Sequence, residues 1–106
     1  QYSLSVYSFR KAFVQEHPEA VRAFLAAIEK AVKDVNSDKA KWAGLLVEKK
    51  LVPPALTGSY AIPDFPPASV PGKDQWEDVM KWALEKGLIS SLLPYEESVK
   101  ADFLPR

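Results

Sequence analysis

Six of the nine prolines fall between Pro53 and Pro71, with Gly58 and Gly72 beside them. A proline lacks the backbone donor and clashes with the preceding helical turn, so no regular helix or central strand can run through this stretch. It reads as an extended connection over the surface, at about residues 53–72, pinned by Tyr60, Ile62, Phe65 and Val70. Such a crossing is longer than the usual ceiling of about 12–15 residues for a structureless loop. That length points to a functional loop or to a packing partner that the sequence omits.

The segments on either side carry helical periodicity. A short helix is expected over about 9–16, turning Phe9 and Phe13 inward, and it must stop at His17 because the residue before a proline is biased away from the α region. Pro18 at the first helical position and Glu19 in the first turn open a second helix over about 18–36. Its stripe of Val21, Phe24, Leu25, Ile28, Val32 and Val35 makes Phe24 a central packing residue. Asn36 and Ser37 end this helix and cap a third, over about 38–50, with Trp42, Leu45 and Leu46 on its buried side. Past the crossing, Asp74 is expected to cap a helix over about 74–86 together with Glu77, and Gly87 is expected as the left-handed residue that ends it. A last turn or two falls over about 94–102. At the other end, residues 2–7 alternate larger apolar residues with serine, which is the period-2 pattern of a strand. Apart from the short Gly58–Ile62 run among the prolines, no mate for it is visible, and an unpaired strand is marginal in water.

With 106 residues, 47% apolar and 26% charged, the chain is long enough for one small domain and has ordinary globular composition. Fourteen basic residues balance fourteen acidic ones, so the chain carries no electrostatic footprint for nucleic acid or an anionic membrane. No apolar run approaches the roughly 18 residues of a membrane helix, so no membrane insertion is expected. The absence of cysteine excludes disulfides, thiolate nucleophiles and cysteine zinc sites, and leaves the redox compartment open. Residue 1 is Gln and no leader pattern follows it, so the chain reads as a processed or truncated product.

No constellation for catalysis stands out. His17 is the only histidine and belongs to a helix start, so neither a triad nor a metal site is expected. Four scattered glycines form no phosphate cradle, and no cofactor is expected. The carboxylate pairs Glu77/Asp78 and Glu96/Glu97 point about 100° apart on a helix and read as solvated faces. The lysines at 39, 41, 49 and 50 interleave with Asp38 and Glu48 as on an amphipathic helix, and the three tryptophans read as core anchors.

Taken in order, these pieces resemble the C-terminal part of ABC-transporter substrate-binding proteins of the nitrate/sulfonate/taurine and thiamine-pyrimidine-precursor type. The matching positions are Pro18, Glu19, Val21, Phe24, Leu25, Ala27 and Ala31, then Trp82, Gly87, Leu88 and Ile89, then Pro94, Val99, Phe103 and Leu104. The resemblance covers nearly the whole chain, and the order and spacing of the pieces carry it. It implies a mainly α fragment, one N-terminal strand plus three to five helices, of a two-lobe α/β Venus-flytrap fold. The implied function is capture of a small-molecule solute for an ABC permease, by a periplasmic or cell-surface exported protein that is not an enzyme. The strands and loops that hold most ligand contacts in that family lie outside the matched part. The partner for the apolar faces would then be the missing N-terminal part of the protein or another copy of the chain. Because the helix faces are committed to packing, any ligand contact kept here should come from the crossing, and Tyr60 is the candidate, with a ring to stack and a hydroxyl to donate. The alternative is an independent helical interaction module, without a small-molecule ligand, that recognises another protein through the crossing or an exposed groove.

Overall fold

The computed structural model describes residues 2, 3 and 5–105. Among these residues five helices follow one another: α1 (Lys11–Glu16), α2 (Pro18–Ser37), α3 (Lys39–Glu48), α4 (Lys73–Glu85) and α5 (Tyr95–Ser98), with a 3-10 turn at Pro54–Leu56. The chain is mainly helical, and no helix among the described residues is long and apolar enough to cross a membrane.

The strand expected over residues 2–7 is not formed by the described residues of that stretch. Residues 2, 3 and 5–7 belong to no ladder, and Leu4 lies outside the described residues. Alternation alone cannot make a strand, because a strand exists only where a second one takes up its backbone donors and acceptors. The segment is instead held by side chains. Tyr7 and Phe9 both meet the Phe24 ring edge to face, with centroids at 5.2 and 5.5 Å.

α1 begins at Lys11, two residues later than the sequence indicates, and ends on His17 as expected, with the His17 N–H donating to Phe13 O at 2.8 Å. Pro18 then occupies the first position of α2. The α2 stripe is as the spacing predicts: Val21 is 2% exposed, and Leu25, Ile28, Val32 and Val35 are half-buried. Phe24 departs from it at 39% exposure, with the two N-terminal rings packed edge to face against it.

A single residue, Asp38, separates α2 from α3, and its carboxylate caps α3 by accepting from the Lys41 N–H at 3.2 Å. The Trp42 indole N–H braces this corner by donating to Asp34 O at 3.2 Å. α3 stops at Glu48, short of the expected Lys50, because Lys50 turns left-handed with φ 56. There the Leu51 N–H reaches Leu46 O at 2.9 Å and the Lys50 N–H reaches Val47 O at 3.0 Å, the paired bonds of a Schellman ending.

α4 starts at Lys73, with Gly72 as its cap residue and no side-chain cap. The expected Asp74 cap is therefore not made. Gly72, extended at φ −68 and ψ 151 behind Pro71, already supplies the carbonyl that receives the Trp76 N–H at 3.0 Å, which leaves Asp74 inside the first turn. The other end follows the sequence: Gly87 is left-handed at φ 69, and the Leu88 and Gly87 N–H groups donate to Ala83 O at 2.9 Å and Leu84 O at 3.0 Å. α5 is one turn, Tyr95–Ser98, and not the longer helix over about 94–102, since Val99 is already extended at φ −122 and ψ 124.

Each helix packs mainly on its neighbour in sequence: α1 on α2, α2 on α3, and α4 on α5. Among the described residues, only Val21, Val52 and Ala83 are buried apolar residues. The radius of gyration is 17.3 Å, against about 13 Å for a compact chain of this length. The accessible surface is 8592 Å², about 2,700 Å² more than surface–mass scaling gives for a closed domain of 11.8 kDa. The helices thus form an open arrangement of 45 × 36 × 21 Å whose apolar faces are only partly covered.

Candidate functional site

The outer face of α4 carries a shallow depression beside Tyr2. This open groove of about 490 Å³ is lined by Tyr2, Asp78, Val79, Lys81, Trp82 and Glu85. The helix sets its shape: positions 78, 82 and 85 follow one another at i, i+4 and i+7 and share a face, while 79 and 81 lie on its two opposite edges. Tyr2 closes one wall by donating its hydroxyl proton to Asp78 Oδ2. That bond and the negative charge of Asp78 push the Tyr2 phenol above its ordinary pKa, so the phenol stays protonated as the donor through neutral pH. Trp82 is 53% exposed and Val79 also faces outward. The groove therefore offers an aromatic and aliphatic floor rimmed by two carboxylates and one ammonium group.

A second polar cluster joins α4 to α5. Lys73 Nζ donates to Glu96 Oε1 at 2.6 Å and lies 3.9 Å from Glu77 Oε1, while Lys100 Nζ donates to Glu96 O. The hydrogen bond from Lys73 holds the Glu96 carboxyl below its ordinary pKa and raises that of Lys73. The Tyr95 hydroxyl donates to Pro71 O at 2.7 Å, and the Trp76 indole N–H donates to Leu93 O at 3.0 Å. This cluster is a clasp that fixes α5 across the start of α4.

The crossing is held at two places. The Asn36 carboxamide and an ion pair between Lys39 and Asp64 fix residues 64 and 65 against the α2–α3 corner. Ile62 and Val70 are half-buried, as their pinning role requires. Tyr60 follows the 3-10 turn, where its backbone N–H donates to Leu56 O at 3.0 Å, and it is 49% exposed. It is not among the residues that line the α4 groove. The structure thus leaves Tyr60 apart from the groove, and it gives His17 a ring contact with Phe13 at 5.0 Å between centroids.

The groove residues escaped the sequence reading, which took all three tryptophans as core anchors. Trp42 and Trp76 are half-buried, but Trp82 is not. A signal was available: at 100° per residue, Trp82 lies roughly 120° away from the line through Trp76, Met80 and Ala83. The Tyr2–Asp78 contact has none, since 76 positions separate the two residues. Comparison with protein-family models, with curated proteins and with solved structures finds no match.

Proposed function

We propose that this chain is the C-terminal part of an exported solute-binding protein that captures a small molecule and delivers it to an ABC permease. The reading rests on the order of motifs from Pro18 to Leu104, and one structural observation supports it: the open packing of the helices. A stripe as regular as that of α2, with Val21 as its one buried residue, suits a helix layer built to cover a sheet. In this reading the sheet belongs to the missing N-terminal part of the same polypeptide, which also holds most solute contacts. The crossing contributes Tyr60, whose half-exposed ring and hydroxyl can stack on and donate to a planar or apolar solute.

The test uses the complete polypeptide that carries this segment. Calorimetric titration with nitrate, taurine, an alkylsulfonate and a thiamine-pyrimidine precursor is expected to give saturable one-to-one binding of one of them. Tyr60→Phe is expected to weaken that binding by about 0.5–1.5 kcal/mol with melting unchanged. No binding in the whole panel would count against the reading.

The alternative, a helical interaction module without a small-molecule ligand, draws on the crossing itself. Pro63, Pro66 and Pro67 stand exposed beside residues 64 and 65, which α2 and α3 hold in place. A pre-ordered, proline-rich ridge suits an aromatic-lined groove on another protein. Retention of the isolated chain on a domain that binds proline-rich peptides, lost on Pro66→Ala, would favour this reading.

A further inference from the structure

The helices fall into two units. α1, α2 and α3 pack in sequence and α4 packs on α5, while no helix of one unit packs extensively on a helix of the other. The crossing between the units is anchored at both ends. Asn36 and Lys39 hold residues 64 and 65 on the first unit, and the Tyr95 hydroxyl holds Pro71 O on the second at 2.7 Å. Between these anchors lie residues 66–70, which take part in no hydrogen bond among the described residues. Pro66 and Pro67 have φ fixed by their rings. A change of angle therefore falls to Ala68 and Ser69, both exposed, and the chain bends at Ala68.

Away from the crossing, α2 grips the C-terminal segment. The Arg22 guanidinium donates from Nη1 to Asp102 O at 2.8 Å and lies 4.9 Å from the centroid of the Phe103 ring. Phe103, Leu104 and Pro105 are half-buried. We propose that Arg22 is a latch. With the C-terminal segment seated on α2 the two units keep one angle, and with the latch released the α4–α5 unit swings about Ala68 and Ser69. The proposal is independent of the solute-binding reading.

The chemistry suits a latch that opens and closes. A planar guanidinium that joins a directional hydrogen bond to a ring face fixes both the position and the tilt of the segment it holds. Each contact is modest on its own, so release is accessible without unfolding. The link from Tyr2 to Asp78 runs through residues 2, 3 and 5–7, which belong to no helix or ladder, so it tethers the units without setting their angle. Units joined through so small a contact move relative to one another by default.

The chain has no cysteine, so a pair can be introduced for spin labels, Lys30→Cys on α2 and Lys86→Cys at the end of α4, both at exposed positions. Pulsed dipolar spectroscopy of the labelled chain is expected to give one narrow distance distribution. Arg22→Gln is expected to broaden it and shift it to longer distances while the helical circular dichroism stays unchanged. Phe103→Ala is expected to do the same from the other side of the contact, and Arg22→Lys, which keeps the charge without the planar fork, to fall between. In the Arg22→Gln chain, amide relaxation dispersion is expected to show exchange at Ala68 and Ser69 and none at Phe65. A wild-type distribution as broad as that of Arg22→Gln, or an Arg22→Gln distribution as narrow as the wild type, would overturn the proposal. So would loss of helicity in both Arg22→Gln and Phe103→Ala, since the units would then depend on the contact to fold.

Discussion

Asn36 spends both of its side-chain hydrogen bonds on one residue, Phe65. Its Nδ2 donates to Phe65 O at 2.8 Å and its Oδ1 accepts from the Phe65 N–H at 3.0 Å. The carboxamide thus acts as a strand neighbour for one residue of a segment that has no strand partner. Each bond is solvent-exposed and worth about 0.5–1 kcal/mol at most, but together they fix where the crossing lies. Asn36→Ala is expected to cost about 1 kcal/mol in urea unfolding and to raise the exchange rate of the Phe65 amide by roughly tenfold. An unchanged Phe65 exchange rate would show that the clamp is dispensable.

Two helix ends with the same geometry carry opposite residues. Gly87 and Lys50 both sit left-handed, at φ 69 and φ 56, under the same pair of Schellman bonds. A side chain in this conformation costs roughly 1 kcal/mol that glycine avoids. Lys50→Gly is therefore expected to stabilise the chain by about 0.5–1 kcal/mol, and Gly87→Ala to destabilise it by about 1 kcal/mol. A Cβ at position 87 meets nothing within 4 Å, so that loss would report backbone strain alone. Denaturation midpoints that move in the same direction would contradict the assignment.

The α4–α5 clasp gives the chain a defined response to pH. Glu96 has its folded pKa depressed by the hydrogen bond from Lys73, so its contribution is present above the ordinary glutamate pKa and is lost as pH falls through the lower folded value. Lys73 has its folded pKa raised by the same bond, so its contribution is present below the ordinary lysine pKa and is lost as pH rises through the higher folded value. Carbon-detected NMR titration should find the Glu96 carboxyl titrating below the ordinary glutamate range, and Lys73→Met should return it to that range. A Glu96 carboxyl that titrates in the ordinary glutamate range in the wild-type chain would mean that the clasp does not form in solution.

Truncations along α2 separate its enclosed position from its open one. Val21 is 2% exposed, and Val21→Ala is expected to cost about 1–3 kcal/mol. Phe24 is the larger residue, yet at 39% exposure its replacement by Ala loses chiefly the two edge-to-face contacts with Tyr7 and Phe9, about 0.5–1.5 kcal/mol each. The stripe alone places Phe24 among the full core losses of about 3–5 kcal/mol, and a midpoint shift of that size would mean that α2 is more enclosed than this arrangement provides.

Local chemistry made most of the helices legible. Pro18 with Glu19 fixes the start of α2, Gly87 fixes the end of α4, and the spacing of Val21, Leu25, Ile28 and Val32 names the inward face. The features that stayed hidden depend on distant or unsignalled geometry. Residues 2–7 alternate like a strand, yet residues 2, 3 and 5–7 join no ladder among the described residues. The left-handed turn at Lys50 carries no glycine to announce it. Gly72 in place of Asp74 at the head of α4 follows from the extended path behind Pro71. The groove at Trp82 needs Tyr2, brought from the far end of the chain.

The central claim is that these helices do not close a core alone, and calorimetric unfolding of the isolated chain tests it most directly. Because a core left open buries less apolar surface, the isolated chain is expected to unfold with an enthalpy well below about 0.7 kcal/mol per residue. A single two-state transition with an unfolding enthalpy of about 0.7 kcal/mol per residue would contradict the claim.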